Sequence, residues 1–377
     1  VPTPPQAETT TATPLAPLTT LQLGGPARRL VRASTETELV ETVTKLDAAG
    51  EPLLLLAGGS NVVIADAGFD GTVVHVATRG IARDGGALDV QAGEPWDGVV
   101  AHAVAQGLAG IEALSGIPGS TGATPIQNVG AYGQDVSQTI ASVRVLDRRS
   151  GEVAELAAAD CGFAYRTSAF KGRDERIVLS VRFALEEGGA GAEASPASSD
   201  PAALDAGTSA GDALGAPVAY AELARALGVE VGQGAPLADV RAAVLALRRG
   251  KGMVVDPADP DSVSAGSFFT NPILDADAFA ALAARAQEAG APAPPAFPEP
   301  DGRVKTSAAW LIQQSGFERG TARGNVAIST KHTLALVNRG GASTAELVAF
   351  AREIAAGVQR AFAVALVPEP VFVGHRW

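Results

Sequence analysis

The chain has 377 residues and a formal net charge of −12, from 29 Lys+Arg against 41 Asp+Glu. With 46% hydrophobic and 19% charged residues it is globular in composition and long enough for two or three domains. The acidity argues against nucleic acid and anionic membrane as partners, and one Cys with four scattered His leaves no disulfide framework and speaks against a zinc site.

No apolar run approaches the roughly 20 residues of a membrane span. The first residues lack the basic start and apolar run of a signal peptide, so a cytoplasmic location is expected. Residues 1–18 are rich in Pro, Thr and Ala without an apolar period and read as a mobile tail. A short strand is expected over 30–33, then a helix capped at Ser34 that uses Leu39, Val43 and Leu46 and stops before Gly50. The apolar run 53–57 has the length of a buried strand and empties directly into Gly58, Gly59, Ser60 and Asn61. Further strands are expected at 62–65, 72–76 and 88–91, and a helix over 96–106. A glycine-rich, helix-poor stretch follows from Gly110 to Gly133. Strands at 142–147 and 152–156 form a hairpin, and 176–184 closes this half.

Residues 187–215 carry almost no large apolar side chains and read as a disordered linker or insertion. Beyond it, helices are expected at 220–227, 236–249, 275–289, 306–315 and 343–361. A strand is expected at 333–338, with a second candidate at 363–367 and a Pro-rich loop over 291–300. The domain reading is a tail over 1–18, a first domain over 19–186, a linker over 187–216 and a C-terminal region over 217–377.

Two stretches draw attention by their chemistry. A strand that opens into Gly58–Asn61 offers backbone N–H groups and a hydroxyl, which suits either a phosphate nest or a tight structural turn. It is not a G-x-G-x-x-G or P-loop fingerprint. The stretch 110–133 has six glycines, at 110, 116, 119, 122, 130 and 133, and no charge after Glu112. Glycine lets a backbone approach a ligand closely, so a large planar cofactor such as a flavin fits this profile better than a packed loop does. Elsewhere, Arg166 between Tyr165 and two hydroxyl residues could clamp a carboxylate or form a surface ion pair. Ser267, followed by Phe268 and Phe269, has a dry setting that suits a proton donor, or it is a cap. Glu369 is held between two prolines, as a tuned acid would be. Cys161 and Trp310 read as core, and none of the four His receives a role.

Four segments in order resemble one family: GGSN at 58–61, SGIPGSTGATPIQNVGAYG at 115–133, CGFAYRTSAFK at 161–171 and SAGSFFTNP at 264–272. They are similar to the UDP-N-acetylenolpyruvoylglucosamine reductases, flavoenzymes of peptidoglycan precursor synthesis. The resemblance spans about Thr19 to Gly374 and breaks at the 187–215 insert. It implies an α+β fold, with a vanillyl-alcohol-oxidase-type (PCMH-type) FAD-binding domain followed by an α+β substrate-binding domain. It implies non-covalent FAD held by Gly58, Gly59, Ser60, Asn61, Val62, Pro118, Gly119, Ser120, Thr121, Gly122, Gln127, Asn128, Gly130 and Ala131. Arg166, Ser267 and Glu369 would be catalytic, and Tyr132, Tyr165, Tyr220, Lys251, Asn271 and Gln314 would bind substrate. The presence of Tyr220 and Lys251 places the chain in the longer type, whose tyrosine loop closes over substrate. NADPH would be the reductant, UDP-N-acetylglucosamine enolpyruvate the substrate, and the protein a monomer without a metal. The chain departs from many bacterial relatives in reading Glu-Pro-Val at 369–371 where they read Glu-Val-Arg. Two other readings remain open on the residues alone: an oxidase with the same FAD domain and another substrate, and a non-catalytic nucleotide-sugar binder.

Overall fold

The structure, a computed structural model, describes residues 8–188 and 213–377. The chain forms two compact units and passes between them five times, at residues 11/12, 28/29, 58/59, 70/71 and 249/250. The GGSN stretch is therefore divided, with Gly58 in the first unit and Gly59 onward in the second. The linker or insertion expected at 187–216 falls mostly outside the described residues. Its described ends are anchored: Glu186–Glu187 pairs with Leu108–Ala109, and the Gly215 N–H donates to the Ala235 carbonyl at 2.8 Å.

The first unit is built on an antiparallel sheet in the order Val153–Ala157, Ile140–Asp147, Arg176–Ala184, Ala87–Gln91, Ile81–Asp84. Alternation along Arg176–Ala184 buries Ile177, Leu179, Val181 and Phe183. Phe183 meets Trp96 at 5.6 Å between ring centroids, and the Trp96 indole N–H donates to the Leu114 carbonyl, so the glycine-rich stretch is pinned to this core. A second sheet runs Glu8–Pro14, Pro26–Ala33, Phe69–Val76, Leu53–Leu56. Helix α1 (Glu36–Ala48) is capped by Thr35 rather than Ser34: the Thr35 hydroxyl accepts from the Glu38 N–H, and Glu38 reaches back to the Thr35 N–H. Such a cap is worth about 1 kcal/mol. Helices α2 (Trp96–Ala105), α3 (Ala221–Leu227) and α4 (Leu237–Gly250) complete the unit, α4 ending at the boundary.

The second unit holds an antiparallel sheet in the order Ser264–Ser267, Ala335–Asn338, Val326–Ile328, Ala322–Arg323. Helices α5 (Ala276–Glu288), α6 (Ala308–Gln314) and α7 (Thr344–Phe362) contribute to its core. The apolar spacing of α7 buries Leu347, Phe350, Ala351, Ile354 and Val358 on one face. Trp310 is half-buried in this core against Phe362.

Three expectations change. Residues 8–18 of the expected tail are ordered: Glu8–Pro14 is a strand at a sheet edge and Leu15 is buried. An edge strand pairs through its backbone and needs no apolar side chain, so composition hid it. Residues 1–7 lie outside the described residues. The candidate strand at 363–367 is irregular, since Ala363 ends α7 in the left-handed region and the segment forms only a bridge at Pro368. Residues 217–249 cluster with the first unit instead of with the C-terminal region, because Val218, Leu223, Val240 and Val244 share a core with Ala113.

Candidate functional site

In the first unit, Gly58 lies two residues beyond the strand Leu53–Leu56, whose last residue is buried and the others half-buried. A Cβ at Gly58 would stand 2.6 Å from the Cα of Gly119, so the two backbones approach as only glycine permits. The Pro118–Gly122 loop is fixed from its other side. Thr121 and Gly122 donate their N–H groups to the carbonyls of Glu94 and Ala92, both at 2.8 Å, and Gly119 accepts from the Trp96 N–H. Thr121 and Gly122 therefore shape the loop and do not offer N–H groups to a ligand. Ser120 forms a bridge with Pro95.

The second half of the glycine-rich stretch interlocks with residues 164–168. The Arg166 guanidinium donates to the Gly130 carbonyl at 2.6 Å and to the Asn128 carbonyl at 3.3 Å. Asn128 returns a hydrogen bond to the Ala164 carbonyl, and the Ser168 hydroxyl donates to the Ile126 carbonyl at 2.7 Å. Lys171 Nζ holds the Arg166 carbonyl at 2.8 Å. Asn128, Tyr132 and Arg166 have φ of +45°, +51° and +52°, which is three of the six non-glycine residues described there. Gln127 and Asn128 are buried, and Gly130 and Ala131 pair in a short hairpin with Asp135 and Gln134. The chain's three tyrosines all belong to this unit's candidate site. Tyr132 and Tyr220 meet edge to face, 5.6 Å apart at 86°, while Tyr165 lies against the Arg166 guanidinium.

In the second unit, Ser267 ends a strand whose register slips by one residue against its partner, between Ser264 and Ser267. Gly266 takes φ +73° within this bulge, and a bulge of this kind re-aims the side chain that follows it. Backbone pairing then brings in the C-terminal acid. The Glu369 N–H donates to the Phe268 carbonyl at 2.9 Å, the Thr270 N–H donates to the Val367 carbonyl, and Phe269 bridges Pro368. Asn61 Nδ2 donates to the Glu369 carbonyl at 3.4 Å, and Val62 pairs in parallel with Val371. The GGSN segment thus touches the residue bearing the candidate acid. Phe268, Phe269, Phe372 and Trp377 form one aromatic cluster, whose first two members follow Ser267 in sequence.

The remaining candidates are less gathered. Asn271 accepts from the Ala308 N–H at the start of α6, while Gln314 is the last residue of that helix and exposed. Lys251 follows directly on α4.

Several contributors escaped sequence reading. Asp97 accepts two hydrogen bonds from Arg241, at 2.6 and 2.9 Å, and one from the Gly116 N–H at 2.6 Å. Burial would raise its pKa, but these donors outweigh it and hold the carboxyl below the usual range. Burial pushes the Arg248 guanidinium down to about 10, with Tyr132 and Asp97 pulling the other way, so it stays cationic at neutral pH. Glu112 is completely buried. Its one visible signal in the sequence is that it is the one charge within the glycine-rich stretch 110–133.

These features fit a flavin. Glycine backbones approach closely at 58 and 119, and the polar side chains of Gln127 and Asn128 are buried beside a stretch without charge from 113 to 134.

Comparison with known proteins agrees. Residues 27–157 match the profile of an FAD binding domain, and residues 257–373 that of the UDP-N-acetylenolpyruvoylglucosamine reductase C-terminal domain. The UDP-N-acetylenolpyruvoylglucosamine reductase of Streptomyces coelicolor is 57% identical over 364 residues, covering 96% of this chain and 89% of that protein. That of Thermobifida fusca is 55% identical over 368 residues, covering 96% and 97%. The crystal structure of the Thermus caldophilus reductase shares the fold, with a TM-score of 0.61 at 23% identity over 98% of this chain and 99% of that one. The fold is α+β, with an FAD binding domain and the reductase C-terminal domain. The chain belongs to the UDP-N-acetylenolpyruvoylglucosamine reductase family.

Proposed function

We infer that this chain reduces UDP-N-acetylglucosamine enolpyruvate to UDP-N-acetylmuramate at the expense of NADPH, a step of peptidoglycan precursor synthesis. FAD, when bound, supplies the relay of a hydride from NADPH to the terminal carbon of the enolpyruvyl group. Gly58 to Val62 hold its pyrophosphate, and Pro118 to Gly122 with Gln127 to Ala131 hold its ring system. The absence of His and Cys from 110–133 leaves no residue there to tether it, so the cofactor is non-covalent.

The chain's own residues manage the charge and the proton. As hydride arrives at the terminal carbon, negative charge develops at the neighbouring carbon and spreads into its carboxylate. Arg166, braced by the carbonyls of Asn128 and Gly130, meets that carboxylate with its fork. Ser267 gives its proton to the carbon next to the carboxylate, and Glu369 assists at the carboxylate. One hydride and one proton add across the double bond, which accounts for NADPH becoming NADP⁺. Tyr132, Tyr165 and Tyr220 line the sugar nucleotide, with Lys251, Asn271 and Gln314. No helix among the described residues is long and apolar enough to cross a membrane. We further propose that the enzyme works in the cytoplasm as a monomer.

The observation that carries this reading is the hydrogen bond from Glu369 N–H to the Phe268 carbonyl, which sets the proton donor and the acid on paired backbone. An anaerobic spectral titration tests it. NADPH should bleach the flavin, and the enolpyruvyl sugar should restore the oxidised spectrum. Flavin that NADPH does not bleach, or that the sugar does not reoxidise, would favour an oxidase or a simple binder.

A further inference from the structure

We propose that Glu112 is a positioning residue for the reaction: its buried carboxylate fixes the tyrosine pair Tyr132–Tyr220 and so sets the affinity for the sugar nucleotide. This rests on the reading of Tyr132 and Tyr220 as substrate-binding residues.

A carboxylate with no exposed surface is costly unless its oxygens are hydrogen-bonded. Glu112 is 0% exposed, and three N–H groups serve it. The Gly110 N–H donates at 2.6 Å and secures the Glu112 side chain to its own turn. The other two donors come from the two segments that carry the tyrosines. Gln134 Nε2 donates at 3.1 Å, and Gln134 lies two residues beyond Tyr132. The Ala216 N–H donates at 2.8 Å, and Ala216 lies four residues before Tyr220. The Gln134 side chain is itself held, because its Oε1 accepts from the Ala113 N–H at 2.8 Å. One carboxylate therefore binds both Gln134 and Ala216, the latter 104 positions away in sequence, in the two segments whose rings meet edge to face.

The geometry decides between a general stabilising role and a positioning role. Tyr220 is 47% exposed, so its place is set by the backbone on both sides: by α3, whose Ala224 N–H donates to the Tyr220 carbonyl at 2.9 Å, and by the segment that leads into it. That segment is tied at Ala216 to Glu112 and at Val218 N–H to the Gln233 carbonyl at 2.9 Å. Tyr132 has φ +51°, a conformation that persists only where neighbours over-determine it. Gln134, braced by Glu112, is one such neighbour.

Glu112→Gln keeps the size and replaces one accepting oxygen by an NH₂ group. That group faces N–H donors, so at least one of the three contacts becomes donor against donor. Stopped-flow measurement of the two half-reactions reads the consequence in the full-length, flavin-loaded protein. We expect the apparent Kd of the enolpyruvyl sugar to rise about tenfold while flavin reduction by NADPH stays within about twofold. The same substitution made in a Tyr220→Ala protein should weaken the sugar by no more than about twofold, since the residue it positions is gone. Equal losses in both backgrounds, or equal slowing of both half-reactions, would overturn the proposal. If Glu112→Gln does not fold, Gln134→Ala in the same two backgrounds decides: about a threefold loss with Tyr220 present and none without it supports the proposal, and equal losses overturn it. Should Tyr220→Ala alone leave sugar affinity unchanged, the substrate role of Tyr220 and the role of Glu112 fall together. Failure of NADPH to bleach the wild-type flavin is a separate result and counts against the reductase reading itself.

Discussion

The two units hold their candidate residues by different physics. In the first, Arg166, Tyr132 and Asn128 sit on strained backbone, Arg166 and Asn128 donate to carbonyls, and the ion pair Asp97–Arg241 and the buried Glu112 hold the neighbouring segments at Gly116 and Gln134. In the second, Ser267 is aimed by a bulge that glycine makes without strain, and it leads directly into the aromatic cluster of Phe268, Phe269, Phe372 and Trp377. The difference suits the tasks proposed for the two residues. A clamp for a charged group needs fixed dipoles and a braced guanidinium, and the bracing can hold a strained backbone in place. A hydroxyl that gives up a proton needs water kept away, and apolar rings do that without adding competing acceptors.

The contrast breaks most sharply at Ser267. Ser267→Ala removes one oxygen and leaves rings and backbone pairing intact, so folding and flavin reduction by NADPH should survive. Transfer to the enolpyruvyl sugar should slow by about 10² to 10⁴, the usual cost of losing a proton donor. Equal slowing of both half-reactions would make Ser267 structural. Arg166→Lys probes the other unit. Lysine tolerates φ +52° no worse than arginine, so backbone strain is unchanged and only the fork is lost. Catalytic efficiency with the sugar should fall by about 10- to 100-fold with little change in NADPH-driven reduction. A loss below about twofold would mean that the fork serves only the carbonyls of Asn128 and Gly130.

Local signals were legible in the sequence and long-range ones were not. All seven α-helices among the described residues fall within two residues of the expected spans at each end, because periodicity and caps are local. The glycine-rich stretch announced itself by composition, and the four segments carried the family. The edge strand Glu8–Pro14 was missed because it pairs through backbone alone. The placement of 217–249 depended on Val218 and Leu223 packing with Ala113, a pairing that no local pattern encodes. The supporting polar residues were hidden for the same reason. Arg241 and Asp97 are 144 positions apart, and each alone resembles an ordinary solvated charge.

That ion pair supplies the finest test of the contrast, because it ties the glycine-rich stretch to a carboxyl that acid titrates. Asp97 has its pKa lowered in the fold: burial raises it, but Arg241 and the Gly116 N–H more than compensate. A carboxyl depressed on folding stabilises the native state fully above its unfolded pKa, near 3.8 here, and loses that contribution as pH falls through the lower folded value. Asp97 anchors Gly116, so acid should loosen the glycine-rich stretch before it loosens the strand at Ser264–Ser267. Hydrogen exchange read by mass spectrometry between pH 5 and pH 3, corrected for intrinsic rates, compares peptides covering 110–134 and 262–272. The first should lose more protection than the second, by about two- to fivefold, since the Asp97 side chain is 41% exposed and solvent screens the pair, although the second unit also holds a carboxyl lowered in the fold, Asp261, beside 262–272. Asp97→Asn should lower protection of 110–134 at pH 5 and remove most of its further change with pH, because the titrating group is gone while its amide oxygen can still accept from Gly116. If Asp97→Asn kept the wild-type pH profile, some other carboxyl would hold the stretch in acid. If both peptides opened together in the wild type, the two units would not differ in the way their contacts indicate.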